Sequence, residues 1–429
     1  MKTLLKNARI LKMDDSPIFF GNIVIEDKSI IYIGDDYNKF APFDVEHDCL
    51  GNLLMPGFKN AHTHNAMTFV SSKTDDLALH DWLFNAIFPR EELLQENDVY
   101  ELSKIAFLEM LSSGITACFD QYYFPLSTAK AAEEIGFKVT LLGVYNNLYD
   151  YEDLKRLYLN FNSNKDGLIK YCFGIHAEYT TNDKEVEIMS KLTHELHAPF
   201  FTHISETASE VENCVKNRGM SPVEYFDSKG MFDYGGGGYH CIYFSDKDIE
   251  IFKKHHLNIV TCPGSNTKLA SGIAPLFKYK DAGLNIAIGT DGPASNNCLD
   301  FFKEMTLVTG LQKLIAKDPT VFPAYEVLKM ATVNGAKAMN MLDADILEVG
   351  KKADIIEIDL NRPNMQPHNN LINNVVYSGS KDNIKMTMIN GKILYLDRKF
   401  LIDENPLEIY KKCEAITQRI DNQLNSKNK

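Results

Sequence analysis

No apolar run in the 429-residue chain approaches the ~18 residues that a membrane-spanning helix requires. The opening residues, MKTLLKNARILKMDD, lack the apolar stretch and small-residue cleavage site of a secretory signal, so the expected location is cytoplasmic. Paired cysteines are also missing. The eight present, at 49, 118, 172, 214, 241, 262, 298 and 413, include no CxxC, which argues against both a disulfide framework and a thiolate zinc site. Positive charge is in deficit: 45 Lys and Arg against 58 Asp and Glu leave a net charge of −13. That balance disfavours a nucleic-acid polymer or an anionic membrane as partner. The chain shows no linker, low-complexity tract or short internal repeat. What is there, 45% apolar and 24% charged residues, is the make-up of an ordinary globular protein with ample core.

The two ends of the chain resemble each other and differ from the middle. Residues 1 to about 50 read as short strands and turns (TLLKNARIL, GNIVIEDKSIIYIGDD), and ADIIEIDL, NNVVYSG and IKMTMINGKILYL repeat that style near the other end. The second set includes an Asn-Gly hairpin signal at Asn390-Gly391. The ends are expected to pair into one small β-sandwich domain, 1–56 with 346–429. The tail from about Pro406 has the spacing of a surface helix. Between the ends, residues 57–345 alternate strand-like and helical patterns. Strand-like runs lie at 53–63, 114–123, 138–146, 171–178, 199–205, 239–244, 258–266 and 285–292. Eight strands alternating with helices over ~290 residues predict an α/β fold of the (β/α)₈ barrel type.

In such a barrel the chemistry gathers at the C-terminal ends of the strands. FKNAHTHNAMT, residues 58–68, places two of the chain's 12 histidines, His62 and His64, one residue apart at the end of strand 1. Residues two apart on a strand share a face, so both imidazoles would stand side by side. Alone, such a pair is more often two surface histidines in a turn. A single histidine such as His240 is more often a satisfied structural group, and the Asp of GTDG could cap a helix. Yet the same rim receives His176 on strand 4, His203 and Glu206 after strand 5, His240 on strand 6 and Asp291 at the end of strand 8. His62, His64, His203 and Asp291 form a donor set for one Zn²⁺ or Fe²⁺, with a position left for water.

MPGFKNAHTHNAMT, THISET, SNTKLASGIAP and GTDGPASNN together resemble the amidohydrolase superfamily. Within it they are similar to the 5-methylthioadenosine/S-adenosylhomocysteine deaminases, near the triazine hydrolases, in order over about residues 1 to 400. The resemblance implies hydrolytic deamination of an adenosine-type nucleoside by a metal-dependent enzyme, with small molecules as partners and a homo-oligomeric state left open. It implies His62, His64, His203 and Asp291 as ligands of one metal, Zn²⁺ ahead of Fe²⁺. Glu206 becomes the proton carrier, with Asp291 beside it in catalysis, and His240 orients water or polarises the leaving group. His176 and Glu91, in FPREELL, match substrate-binding positions, the glutamate gripping the ribose diol. Two-metal members bridge their ions with a lysine on strand 4; GIHAEY has none, so one metal is expected. The PCxxC of other nucleobase deaminases is absent.

Three departures concern the substrate's tail. Relatives that accept S-adenosylhomocysteine place an arginine after strand 3, whereas LLGVYNNLYDYEDLK offers Tyr145, Tyr149 and Tyr151 and no arginine before Arg156. Arg90, beside Glu91, is a candidate substitute. Tyr243 stands where a second histidine is usual, and Cys262 where asparagine is usual. The alternatives to an adenosine-type deaminase are an enzyme acting on another N-heterocycle (guanine-like, pterin or triazine) and a non-catalytic scaffold of the same fold.

Overall fold

The computed structural model describes residues 1–164 and 166–427. Eight parallel strands lie side by side in chain order: β1 (Phe58–Thr63), β2 (Ile115–Asp120), β3 (Lys138–Gly143), β4 (Ile169–Gly174), β5 (Phe200–Ile204), β6 (Gly236–His240), β7 (Asn258–Thr261) and β8 (Asn285–Ile288). Helices such as Glu96–Ser112 and Asp183–Leu196 carry the chain back between them. β1, β2 and β3 are buried at every position, as parallel strands covered on both faces must be.

The circle closes through the Asn60 side chain and a backbone bond where β8 returns to β1. The Asn60 amide accepts from Thr290 N (2.9 Å) and donates to Thr290 Oγ1 (2.7 Å), and Asp291 N donates to His62 O (3.0 Å). A Cβ at Gly289 would come within 2.8 Å of the His62 Cβ, so the approach of last strand to first needs a glycine. This is the (β/α)₈ barrel.

Residues 53–63, which read as one strand, divide at Gly57. Leu53–Pro56 belongs to a second sheet and β1 starts at Phe58. A side chain at Gly57 would lie 2.1 Å from Thr116 Cγ2, so the chain can change sheets there only without one. The second sheet is mixed and has nine strands drawn from both chain ends. The ends join where Leu53–Pro56 runs antiparallel to Ile355–Ile358. Leu5, Ile10, Ile25, Leu54, Ile355 and Met388 share its core. Asn390 (φ 49°) and Gly391 (φ 74°) make its expected hairpin turn, with both residues left-handed as a two-residue I′ turn demands.

A buried charge cluster ties this sheet to the bottom of the barrel. Asp354 accepts from Lys138 Nζ (2.8 and 2.7 Å), with Lys59 Nζ 3.7 Å away. Burial alone would push the Asp354 carboxyl up, but the two lysines hold it below the usual range. The tail is the helix Pro406–Lys427, which packs on Glu96–Ser112 through Ile409, Cys413, Ile416 and Ile420. Among the described residues, no helix is long and apolar enough to cross a membrane.

Candidate active site

The top of the barrel receives nearly every residue singled out from the sequence. His62 is the penultimate residue of β1 and His64 follows its end; His203 lies in β5 and His240 ends β6. His176, Glu206 and Asp291 stand in the turns after β4, β5 and β8. Glu91 arrives from elsewhere, on the short helix Phe88–Glu91 between β1 and β2. All of these except His62 line one cavity of about 650 Å³, within the usual range for a small-molecule site. His62 lies fully buried beneath it. The rim is backbone of an unusual kind: Ser205, His240, Cys241 and Asp291 all have left-handed φ between 50° and 69°. Non-glycine residues adopt that conformation at a cost, and such positions cluster at functional sites.

The ring orientations follow from hydrogen bonds at the outer nitrogens. His64 Nδ1 donates to Gln121 O (2.6 Å) and His203 Nδ1 donates to His176 O (2.8 Å). Each bond turns the Nε2 inward, where the two Nε2 atoms face each other at 3.3 Å. Asp291 Oδ1 lies 3.2 Å from His64 Nε2 and 3.4 Å from His62 Nε2. Neither ring nitrogen of buried His62 has a hydrogen-bond partner; its ring rests on Tyr239, centroids 3.7 Å apart. The other side of Asp291 is occupied: Oδ2 accepts from Ser265 Oγ (2.6 Å) and Ser295 Oγ (2.9 Å).

Donor atoms gathered this closely make the rim a candidate place for a cation. Burial holds His62 down to about 3, and burial with four neighbouring imidazoles holds His203 well below the usual range, whereas, against the effect of burial, Asp291 raises His64 and Glu206 raises His240. Imidazole nitrogen with carboxylate oxygen is a fitting donor set for a divalent ion. One donor atom each from His62, His203, His240 and Asp291 lies within 4.8 Å of the others, and His64 completes the group from the side. His240 is distinguished by its contacts. Its Nδ1 donates to Asn266 Oδ1 (2.7 Å) and its Nε2 faces Glu206 Oε2 at 3.9 Å.

The carboxylates around this cluster are biased toward holding protons. Burial raises Glu206, whose Oε1 accepts from Ser271 Oγ (3.1 Å). Glu210 lies beneath the turn, accepting Ser205 N and Glu206 N at 2.8 Å each, and burial with the Glu206 charge pushes it up to about 7. Burial also raises Glu91, which accepts from Tyr122 OH (2.7 Å). His176 Nδ1 meets Thr180 Oγ1 at 2.9 Å.

Of the three tyrosines expected after β3, only Tyr145 lines the cavity; the Tyr151 hydroxyl is taken by Glu195, and Tyr149 packs against the core. The aromatic wall comes instead from Trp82, Phe84 and Phe88 before Glu91, from Tyr122 and Tyr123 after β2, and from Tyr179 after β4. The Tyr-Tyr pair directly behind a strand was the available signal for two of these. No Lys or Arg is among the lining residues described. Arg90 donates to Ala86 O (2.7 Å) and Arg156 pairs with Asp153; neither is among the lining residues. Tyr243 supports the site from behind, donating to the carbonyl of Ser271 (2.8 Å), whose hydroxyl serves Glu206. Cys262 is buried just ahead of the helix that carries Ser265 and Asn266.

The sequence model of the amidohydrolase family matches residues 53–394. The chain belongs to the amidohydrolase family. Members depend on a metal, and the cluster described above is the candidate place for it. This amidohydrolase is 38% identical to a 5-methylthioadenosine/S-adenosylhomocysteine deaminase of Thermoanaerobacter pseudethanolicus, over 98% of this chain and 100% of the relative. It is also 38% identical to a 5′-deoxyadenosine deaminase of Methanosarcina acetivorans, over 93% of this chain and 94% of that one. Among solved structures, an adenosine deaminase from Xanthomonas campestris with bound zinc superposes with a TM-score of 0.91 at 28% identity, covering 98% of both chains.

Proposed function

We propose that this amidohydrolase hydrolyses the 6-amino group of an adenosine-type nucleoside, releasing ammonia and the inosine analogue. The observation that carries the reading is the buried Glu206, set beside a His/Asp cluster able to hold a metal ion at the end of a nucleoside-sized cavity. His62, His64, His203 and Asp291 would hold one divalent ion, zinc ahead of iron. Such an ion supplies Lewis acidity that makes water a nucleophile near neutral pH. The protein's own groups handle the protons. Glu206, its affinity for a proton raised by burial, accepts one from water with Asp291 alongside and delivers it to the ring nitrogen, then serves departing ammonia in the same way. His240 faces Glu206 and orients the water or polarises the leaving group. Glu91 accepts the ribose hydroxyls and His176 contacts the base.

The wall near the 5′ end is aromatic and without a cation, so an uncharged substituent suits it better than an amino-acid carboxylate. The relatives' names include both 5′-deoxyadenosine and S-adenosylhomocysteine, so this preference rests on the wall alone. Ammonia release from the zinc-loaded enzyme tests it. Adenosine, 5′-deoxyadenosine, 5′-methylthioadenosine and S-adenosylhomocysteine are compared with guanine, a pterin and a triazine. Turnover is expected for the nucleosides. 5′-Methylthioadenosine or 5′-deoxyadenosine should exceed S-adenosylhomocysteine in kcat/KM by ~10-fold, the ~1.4 kcal/mol that one unmet charge readily costs. Turnover of guanine, pterin or triazine with none of the nucleosides would overturn the assignment.

A further inference from the structure

The cavity wall that carries Glu91 is a single excursion of the chain, held at both ends by the C-terminal helix. At its start, Lys73 pairs with Asp421. At its end, Arg419 Nη1 donates to the carbonyl of Leu93 (3.3 Å) while its other nitrogen pairs with Asp98. Asp98 also caps the next helix by accepting Gln95 N (2.7 Å). The Leu93 and Leu94 amides bond back to Arg90 O (3.1 Å) and Glu91 O (3.0 Å), so the carbonyl gripped by Arg419 belongs to the turn that contains Glu91.

Between these anchors the excursion is held by Trp82, Leu83 and Ile87 in the core and by Tyr122, whose hydroxyl donates to Glu91 (2.7 Å). The C-terminal helix acts alongside these contacts, at the two ends. The excursion contains a π-helical turn, Trp82–Ile87, a form found mostly at functional sites. Leu77 and Phe84 stand about two-fifths exposed. The C-terminal helix packs directly against Phe88–Glu91, and it lies beyond residues 53–394, where the family model ends.

We propose that Arg419, assisted by Asp421, is a positioning residue for substrate binding: the C-terminal helix fixes Glu91 where the ribose diol is met. The inference rests on Glu91 serving the diol. Partly exposed ion pairs add little to global stability. Their effect here falls on the placement of one carboxylate, and small displacements of a binding group are felt strongly.

The test uses the full-length, zinc-loaded enzyme and the ratio of kcat/KM for adenosine to that for 2′,3′-dideoxyadenosine. Glu91→Ala should bring the ratio close to that of an enzyme blind to the diol. Arg419→Ala should lower it about tenfold, through KM for adenosine with kcat within about twofold, the scale of a modest misplacement. Arg419→Lys should recover part of the ratio. Lys411→Ala, which breaks an exposed pair with Glu408 on the same helix, should match wild type. If Arg419→Ala keeps the wild-type ratio while Glu91→Ala collapses it, the helix is merely structural and the inference fails alone. If Glu91→Ala leaves the ratio unchanged, the reading of Glu91 fails and takes the inference with it. Should Arg419→Ala not fold, Asp421→Asn at the other anchor carries the test. A fall of about threefold is then expected, and an unchanged ratio overturns the proposal.

Discussion

Two places among the described residues gather three or more metal-binding side chains that include a histidine, one at the top of the barrel and one in the sheet built from the chain ends. In the sheet, His47, Cys49 and Glu357 lie as close together as the barrel donors do. There the atoms complement one another. His47 Nε2 donates to Glu357 Oε2 (2.5 Å), Asn52 Nδ2 donates to Oε1 (2.7 Å), and Lys385 Nζ stands 4.0 Å away. In the barrel, acceptors face acceptors, and His62 has no partner at either nitrogen. The first arrangement is closed by its own hydrogen bonds; the second leaves buried His62 unpartnered and is the candidate place for an added cation. Residue types alone do not separate the two. The supply of protons does.

The sharpest way to break this comparison is metal content. Purified protein should hold about one zinc or iron per chain, as expected of a site with one set of donors. His64→Ala should lose both metal and activity. His47→Ala and Cys49→Ala should keep both. Two tightly held ions in the wild type, or metal lost with His47, would erase the distinction.

A smaller effect comes from the carboxylates. Glu206→Gln should retain its metal but lose at least ~10²-fold in kcat, the usual scale for a proton-transferring group. Glu357→Gln should turn over normally but unfold at lower denaturant, since a buried bond that loses its charged partner costs ~1–3 kcal/mol. Turnover and urea midpoints on the same two variants separate the roles.

The smallest effect concerns pH. Glu304, fully buried behind the rim, accepts from Gly264 N and Asn296 Nδ2 at 2.8 Å each, and burial raises it from 4.5 to about 7. A carboxyl raised on folding binds its proton more tightly in the folded state. Its contribution is therefore full below about 4.5 and is lost as pH rises through about 7. Glu304→Gln should flatten that decline. An identical slope in both proteins, from urea midpoints across that window, would show that Glu304 does not govern it.

Much of the site was legible because it obeys a local rule: functional side chains follow strand ends. His62, His64, His203, His240 and Asp291 could be named once eight apolar runs had been counted, and they meet at the rim. Other parts had no such rule behind them. That Tyr149 and Tyr151 turn away while Tyr122 and Tyr123 line the cavity depends on the direction each loop takes after leaving its strand. The division of residues 53–63 at Gly57 depends on Thr116, a neighbour only after folding.

The sequence by itself determined the alternation of strands and helices, the pairing of the two ends into one sheet and the residue types at the barrel top. Periodicity and turn chemistry act over a few residues, and a few residues are enough to read them. Only the tertiary structure decided which lone pairs confront one another and which are already met. Backbone carbonyls at Gln121 and His176 turn two imidazoles inward, and these follow strands other than those of the rings they hold. It also decided that Arg419 reaches the turn of Glu91, a contact across more than three hundred residues. Such contacts leave no local pattern, because they are selected by the closed shape of the whole chain.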